Sequence, residues 1–363
     1  MLLLLLLIES WVADAENRGV TLISKNESDT QVTGTTIVDM SDEQAERMRQ
    51  ELPDALVVRN RAIELIQPRR HKTATKEQIQ PSDLWHLSRI GLETARQQGF
   101  SGTGADVTIA VLDTGIDPTH PELSGSIANA YTFDVAQWKA MPMNPPRDTD
   151  GHGTHVAGLI CGKKVGVAPG ANVLSGVMIP HGLGTLAGFI LALEWAAKRP
   201  DVQIVNMSAG LPGYFPEMRA AVAGLLAVGV LPVFATGNEG RNRTRSPGNY
   251  IEPISVGATN RQNRVASFSS SGVLVSDNHQ YIVPDLVAPG ESVYSSVMGG
   301  SYQAWDGTSM ATPIVSDIPE HILEKYPHIT VTNLVEKLLV TRQVIGQPPL
   351  RQGQGLVQVQ AAL

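Results

Sequence analysis

Four runs rich in apolar β-formers, Val107 to Leu112, Val173 to Met178, Val202 to Met207 and Val230 to Ala235, are interleaved with helical periodicity at about Leu186 to Lys198 and Glu217 to Val228. A strand that is apolar at nearly every position has both faces to bury, and helices are what cover them. The expected fold is therefore α/β, a mostly parallel sheet covered by helices on both faces. Ligands of such sheets bind beyond the carboxyl ends of the strands. Chemistry is to be sought just after each strand.

Directly after the first run stand Asp113-Thr114-Gly115. A carboxylate there is a turn cap or an orienting group in a site. Asp150-Gly151-His152-Gly153-Thr154-His155 follows, with one histidine framed by glycines that let backbone approach closely. His152 alone reads as a core or capping histidine, or as a metal ligand shared with His155; without an HExxH arrangement or a cysteine pair, no zinc site is expected. Gly307-Thr308-Ser309-Met310-Ala311-Thr312-Pro313 precedes the apolar residues Ile314, Val315 and Ile318. Ser or Thr ahead of such a run, with Pro near the first turn, marks a helix start, where a developing negative charge is stabilised.

Together these residues have a chemical logic. A serine hydroxyl needs a base to take its proton, imidazole titrates near neutrality, and a buried carboxylate fixes the imidazole tautomer. Phe234-Ala235-Thr236-Gly237-Asn238 adds an amide beyond a buried strand, able to join the Ser309 backbone N–H as an oxyanion donor.

Composition narrows the partners. The 363 residues carry a net charge of −7, which leaves no basic stripe for nucleic acid. The one cysteine, Cys161, lies in an apolar helical run and is expected to be a buried small hydrophobe. Leu2 to Ile8 is too short to span a bilayer, and no Lys or Arg precedes Arg18 as a signal peptide would want. That stretch is read as a buried strand, with a degenerate signal as the lesser alternative.

Residues 1–67 form a small α+β unit by pattern. Val20 to Ile23, Val32 to Val38, Ala55 to Val58 and Ala62 to Ile66 read as strands, and Ser41 to Leu52 as a helix whose Ser41 and Gln44 make a capping box. From Gln67 to Asp83 no apolar period survives, and residues 68–83 are expected to be a solvated, protease-sensitive linker. Residues 84–363 hold the large domain.

The segments around Asp113, His152, Asn238 and Ser309 resemble, in order, the four signature blocks of the subtilisin-like serine proteases. Asn206 to Gly210 and Val287 to Gly290 resemble family segments too, and the match covers about residues 85 to 363. The resemblance implies a serine endopeptidase with Ser309 as nucleophile, His152 as general base and then acid, Asp113 as orienter and Asn238 as oxyanion donor. It implies polypeptide substrates lying along Ser208, Ala209, Gly210, Ala235, Thr236 and Gly237, with a large apolar residue before the cut. Tyr250 or Glu252 either narrows that pocket or lies on the surface. The N-terminal unit resembles the family's inhibitory propeptide, which makes the chain a zymogen that cuts itself within Gln67 to Asp83. Export is implied by the family alone.

Two departures qualify the expectation. Pro319, with Asp317, Glu320 and His321 beside it, is expected to end or kink the helix behind Ser309. That motivates the alternative of a catalytically weak scaffold that binds peptides. Lys163 and Lys164 stand where many relatives insert a calcium loop, so that site is expected to be absent; weak calcium sites near Asp117 or Asp285 stay open, and no metal or other cofactor is assigned. An esterase of the other α/β type fits less well, given the chain order and the lack of a G-x-S-x-G elbow at Ser309.

Overall fold

A computed structural model describes residues 19–22, 35–38, 41–51, 56–340 and 342–359. The expected strand Leu2 to Ile8 lies outside them. Among the described residues ten strands form the main sheet, and those from Leu356–Val357 at one side to Ile127–Asp134 at the other run parallel. Thr108–Asp113, the first of them in the chain, lies between Ile204–Met207 and Asn172–Val177. Later strands of the chain lie on both sides of it, so its carboxyl end is a topological switch point. Asp113 is the last residue of that strand.

The uniformly apolar strands do feed two cores. Ile109 and Val111 point into one, with the helices His152–Cys161 and Thr308–Lys325; Ala110 and Leu112 point into the other, with Leu186–Ala197 and Arg219–Ala227. Alternation along one strand thus serves both faces of a covered sheet.

The helix His152–Cys161 is buried along its whole length. Its small residues permit this. A Cβ on Gly158 would meet the hydroxyls of Ser295 and Ser296 at 2.2 Å, and those hydroxyls donate to the carbonyls of His155 and Thr154 at 2.7 and 3.0 Å. Cys161 is buried, and burial pushes its thiol well above the usual range. It is a core residue.

The helix behind Ser309 differs from expectation: Thr308–Lys325 runs unbroken through Pro313 and Pro319. An interior proline costs roughly 3 kcal/mol. Ile314, Val315, Ile318 and Ile322 are fully buried around it, and each such side chain returns about 1.5–3 kcal/mol. Burial overrides the local penalty.

At the N-terminal side, Gly19–Leu22 is the middle strand of a three-stranded antiparallel sheet with Thr35–Val38 and Leu56–Arg59. Asp42–Glu51 is a helix of this unit, and both capping-box bonds are made, Ser41 N to Gln44 Oε1 at 2.7 Å and Gln44 N to Ser41 Oγ at 3.3 Å.

The stretch read as a solvated linker is structured. Arg69–Lys76 is a strand, antiparallel to Ser301–Asp306, and a 3-10 turn follows at Pro81–Asp83. Backbone pairing with an exposed strand edge needs no apolar side chains, so the absence of an apolar period did not signal it.

Candidate active site

His152 opens its helix, held there by Gly151, whose φ of 99° is in the left-handed region open to glycine. Its Nδ1 lies 2.8 and 2.9 Å from the two carboxylate oxygens of Asp113, and both residues are buried. With Nδ1–H donating to the carboxylate, Nε2 carries the lone pair. Nε2 is buried and has no hydrogen-bond partner among the described residues.

The closeness of the two segments depends on Gly153. A Cβ there would stand 2.0 Å from the Gly115 carbonyl oxygen and 3.2 Å from the Asp113 Cβ. Asp148, which sequence reasoning passed over, ties the loops together. One of its oxygens accepts from Thr114 Oγ1 at 2.7 Å and from the amides of Asp150 and Gly151 at 3.0 and 2.9 Å. The other accepts from Thr154 N at 2.8 Å and Thr154 Oγ1 at 2.6 Å. Its only sequence signal was a third carboxylate near the glycine-framed histidine.

His155 does not join His152 at a metal site. Its ring stacks on Trp305 with centroids 4.2 Å apart, its Nε2 bonds the Gln303 carbonyl at 3.0 Å, and burial pushes its pKa down to about 3. It is a neutral packing element.

Ser309 is the second residue of its helix and fully buried. Asn238 lies beside it, with the amide oxygen accepting from Thr308 N at 2.9 Å and Thr308 Oγ1 at 3.0 Å. These bonds turn the Asn238 Nδ2 outward, toward the cleft.

That cleft is filled by the chain's own residues. Ala62–Leu65 lies between Leu183–Thr185 and Ala209–Pro212, antiparallel to both, with Glu64 opposite Gly210 and Leu65 opposite Ala209. Ile66 N donates to Ser208 O at 3.3 Å. Ser309 Oγ donates to Ile66 O at 3.2 Å, and Asn238 Nδ2 donates to Gln67 O at 3.0 Å. Beyond Pro68, the strand Arg69–Lys76 continues along Ser301–Asp306.

Of the expected substrate-lining residues, Ser208, Ala209 and Gly210 meet this strand directly. Ala235, Thr236 and Gly237 lead from their strand into Asn238, and Thr236 bonds Val256 and Arg245 through its backbone. Tyr250 sits in the second core with its hydroxyl on the Phe215 carbonyl, and Glu252 pairs with Arg219 at 2.7 Å. Neither is brought to the segment in the cleft by these contacts.

The sequence matches the subtilase family over residues 104–355. The chain belongs to that family. It is 35% identical over 286 residues to subtilisin E of Bacillus subtilis (strain 168), covering 76% of this chain and 70% of that protein. Subtilisin of Bacillus pumilus is likewise 35% identical over 286 residues, with 97% of its length covered. Subtilisin Savinase of Lederbergia lenta is 35% identical over 285 residues, again with 97% covered. This subtilase is accordingly a serine-type endopeptidase acting on polypeptides. Asp113, His152, Asn238 and Ser309 all fall inside the matched stretch, and the segment in the cleft falls outside it. Among the described residues no helix is long and apolar enough to cross a membrane.

Proposed function

We propose that this subtilase is a self-processing zymogen, with Ser309 as nucleophile, His152 as base and then acid, Asp113 as its orienter and Asn238 as oxyanion donor. Residues 1–66 are its inhibitory propeptide, and 84–363 the catalytic domain. One observation carries the reading: Ser309 Oγ and Asn238 Nδ2 hold the carbonyls on either side of the Ile66–Gln67 peptide bond. The backbone register supports the same bond, since Ile66 N bonds Ser208 O directly upstream of the hydroxyl contact.

The chemistry follows from those positions. Ser309 Oγ attacks the Ile66 carbonyl carbon while its proton passes to His152 Nε2, the free ring nitrogen. Asp113 stabilises the imidazolium through Nδ1. The Ile66 oxygen becomes an anion and turns to the Ser309 backbone N–H and to Asn238 Nδ2, which exchanges its ground-state partner Gln67 O for it. Collapse of the tetrahedral species breaks the C–N bond; His152 returns the proton to the Gln67 amine, and water then hydrolyses the acyl-enzyme. A cut Gln67–Pro68 bond is disfavoured by the register.

Intact-mass measurement on incubated protein tests this. The expected product begins at Gln67, is absent from Ser309→Ala, and is accompanied by one fluorophosphonate label per chain on Ser309. Unchanged cutting in Ser309→Ala overturns the reading. A folded, unlabelled protein supports the peptide-binding scaffold instead.

A further inference from the structure

Past the proposed cut, the side chain of Arg70 is held on three sides. Its guanidinium carbon lies 4.6 Å over the ring of Trp305, its Nη2 pairs with the Asp150 carboxylate, and its Nη1 reaches the Asp150 carbonyl at 3.5 Å. Its backbone lies opposite Trp305 in the strand register, so the contact is fixed by the sheet as well. Trp305 is buried and pinned from below by the His155 ring. Asp150 is held by Asp148, whose carboxylate accepts its amide at 3.0 Å. The pocket is therefore built on rigid parts, two residues before His152.

We propose that Asp150 and Trp305 form a guanidinium subsite on the leaving-group side of the cleft, which selects polypeptides with arginine four residues past the cut. In the intact chain Arg70 fills it. The inference rests on the reading of the cleft given above. A planar, delocalised cation suits the site better than an ammonium, because it covers the indole face while forking toward the Asp150 carboxylate and carbonyl together. After a cut at Ile66–Gln67, residues 67–76 stay joined to the catalytic domain and remain paired with the strand Ser301–Asp306. His71 adds to their hold, with Nε2 2.7 Å from Asp306 Oδ1. As a tethered segment they compete with substrate at high effective concentration. The self-processed enzyme is thereby restrained on this side of its cleft.

The test uses self-processed protein and fluorogenic peptides copying residues 62–72, with Arg, Lys or Gln at the fourth position past the cut. In the Arg70→Gln chain the arginine peptide should be cleaved with about tenfold higher kcat/KM than the glutamine peptide, with lysine between. Adding Asp150→Asn should remove the preference. In the unsubstituted chain, all three peptides should show raised KM, whereas a short anilide ending at the cut should be cleaved alike with and without Arg70. Equal kcat/KM for the arginine and glutamine peptides in Arg70→Gln overturns the proposal. An unhydrolysed anilide marks failure of the peptidase mechanism itself, and amide exchange then decides the subsite. In Ser309→Ala chains, Arg70→Gln should speed exchange over residues 70–76 by about tenfold and Arg70→Lys by less; equal rates overturn it.

Discussion

The hydroxyl of Ser309 donates to the carbonyl oxygen of Ile66, 243 positions earlier in the chain, at 3.2 Å. The proposed nucleophile is thus turned toward the bond it is to cut, and His152 Nε2 has no hydrogen-bond partner among the described residues. Ile66 is 1% exposed, so its side chain is enclosed when the bond is presented. A carboxylate in its place would have to be buried without a counter-charge, at a cost of several kcal/mol. Ile66→Asp should therefore slow self-cutting by at least about a hundredfold. The intact mass followed over time measures this, and cutting at the unsubstituted rate would refute the placement of Ile66.

Asn238 makes two kinds of bond, accepting from Thr308 and donating toward the cleft. Asn238→Ala should lower kcat by about a hundred- to a thousandfold with KM within a few-fold, a magnitude established for a subtilisin oxyanion donor rather than derived for this chain. The kcat and KM split on a short anilide distinguishes this from a folding defect, which would lower the labelled fraction instead.

Gly153 is where the Asp113 and His152 segments touch. The Cβ of Gly153→Ala would stand 2.0 Å from a backbone oxygen, which cannot rotate away. Overpacking of this kind costs about 1–3 kcal/mol, and the displaced segments carry the Asp113–His152 contact. The expected outcome is a lower denaturation midpoint together with loss of fluorophosphonate labelling. Normal labelling would show that the contact tolerates the shift.

How much of this was legible in the sequence depended on the kind of signal. Asp113, His152, Asn238 and Ser309 were readable because each follows a buried strand or opens a helix, and such places announce themselves through apolar runs, glycines and caps. Arg69–Lys76 was not, since its order comes from backbone bonds to Ser301–Asp306 and from Arg70 on Trp305, partners distant in the chain. Asp148 was hidden for a related reason: three of its five bonds arise only once Thr114 and Thr154 are folded beside it. Pro319 misled in the opposite direction, because its local penalty is set against burial that no local window contains.

Pro319 still leaves a mark that can be measured. It lacks the N–H that would bond the carbonyl of Val315. In a Ser309→Ala background, which prevents self-digestion, Pro319→Ala should raise stability by up to about 3 kcal/mol, seen as a higher urea midpoint at unchanged m. A lowered midpoint would mean that the ring's packing outweighs the missing bond.

The same helix carries a pH dependence of definite sign. Asp317 and Glu320 are fully buried, and none of their four carboxylate oxygens has a hydrogen-bond partner among the described residues. Burial pushes both groups well above the usual carboxylate range, and the neighbouring Asp317 and Glu324 charges push Glu320 further. The folded chain therefore keeps protons that the unfolded chain releases above about pH 4. Stability is complete below that pH and falls as pH rises through the raised folded values, by about 1.4 kcal/mol per pH unit for each group. His321 works the other way. Burial and the nearby Arg96 lower it to about 4, so its contribution is lost as pH falls from about 6.5. In the Ser309→Ala background, Asp317→Asn with Glu320→Gln should flatten the decline between pH 5 and 8 and be the more stable form at pH 8. Urea midpoints at the two pH values decide it, and an unchanged slope would mean that these carboxylates are not the groups holding the protons.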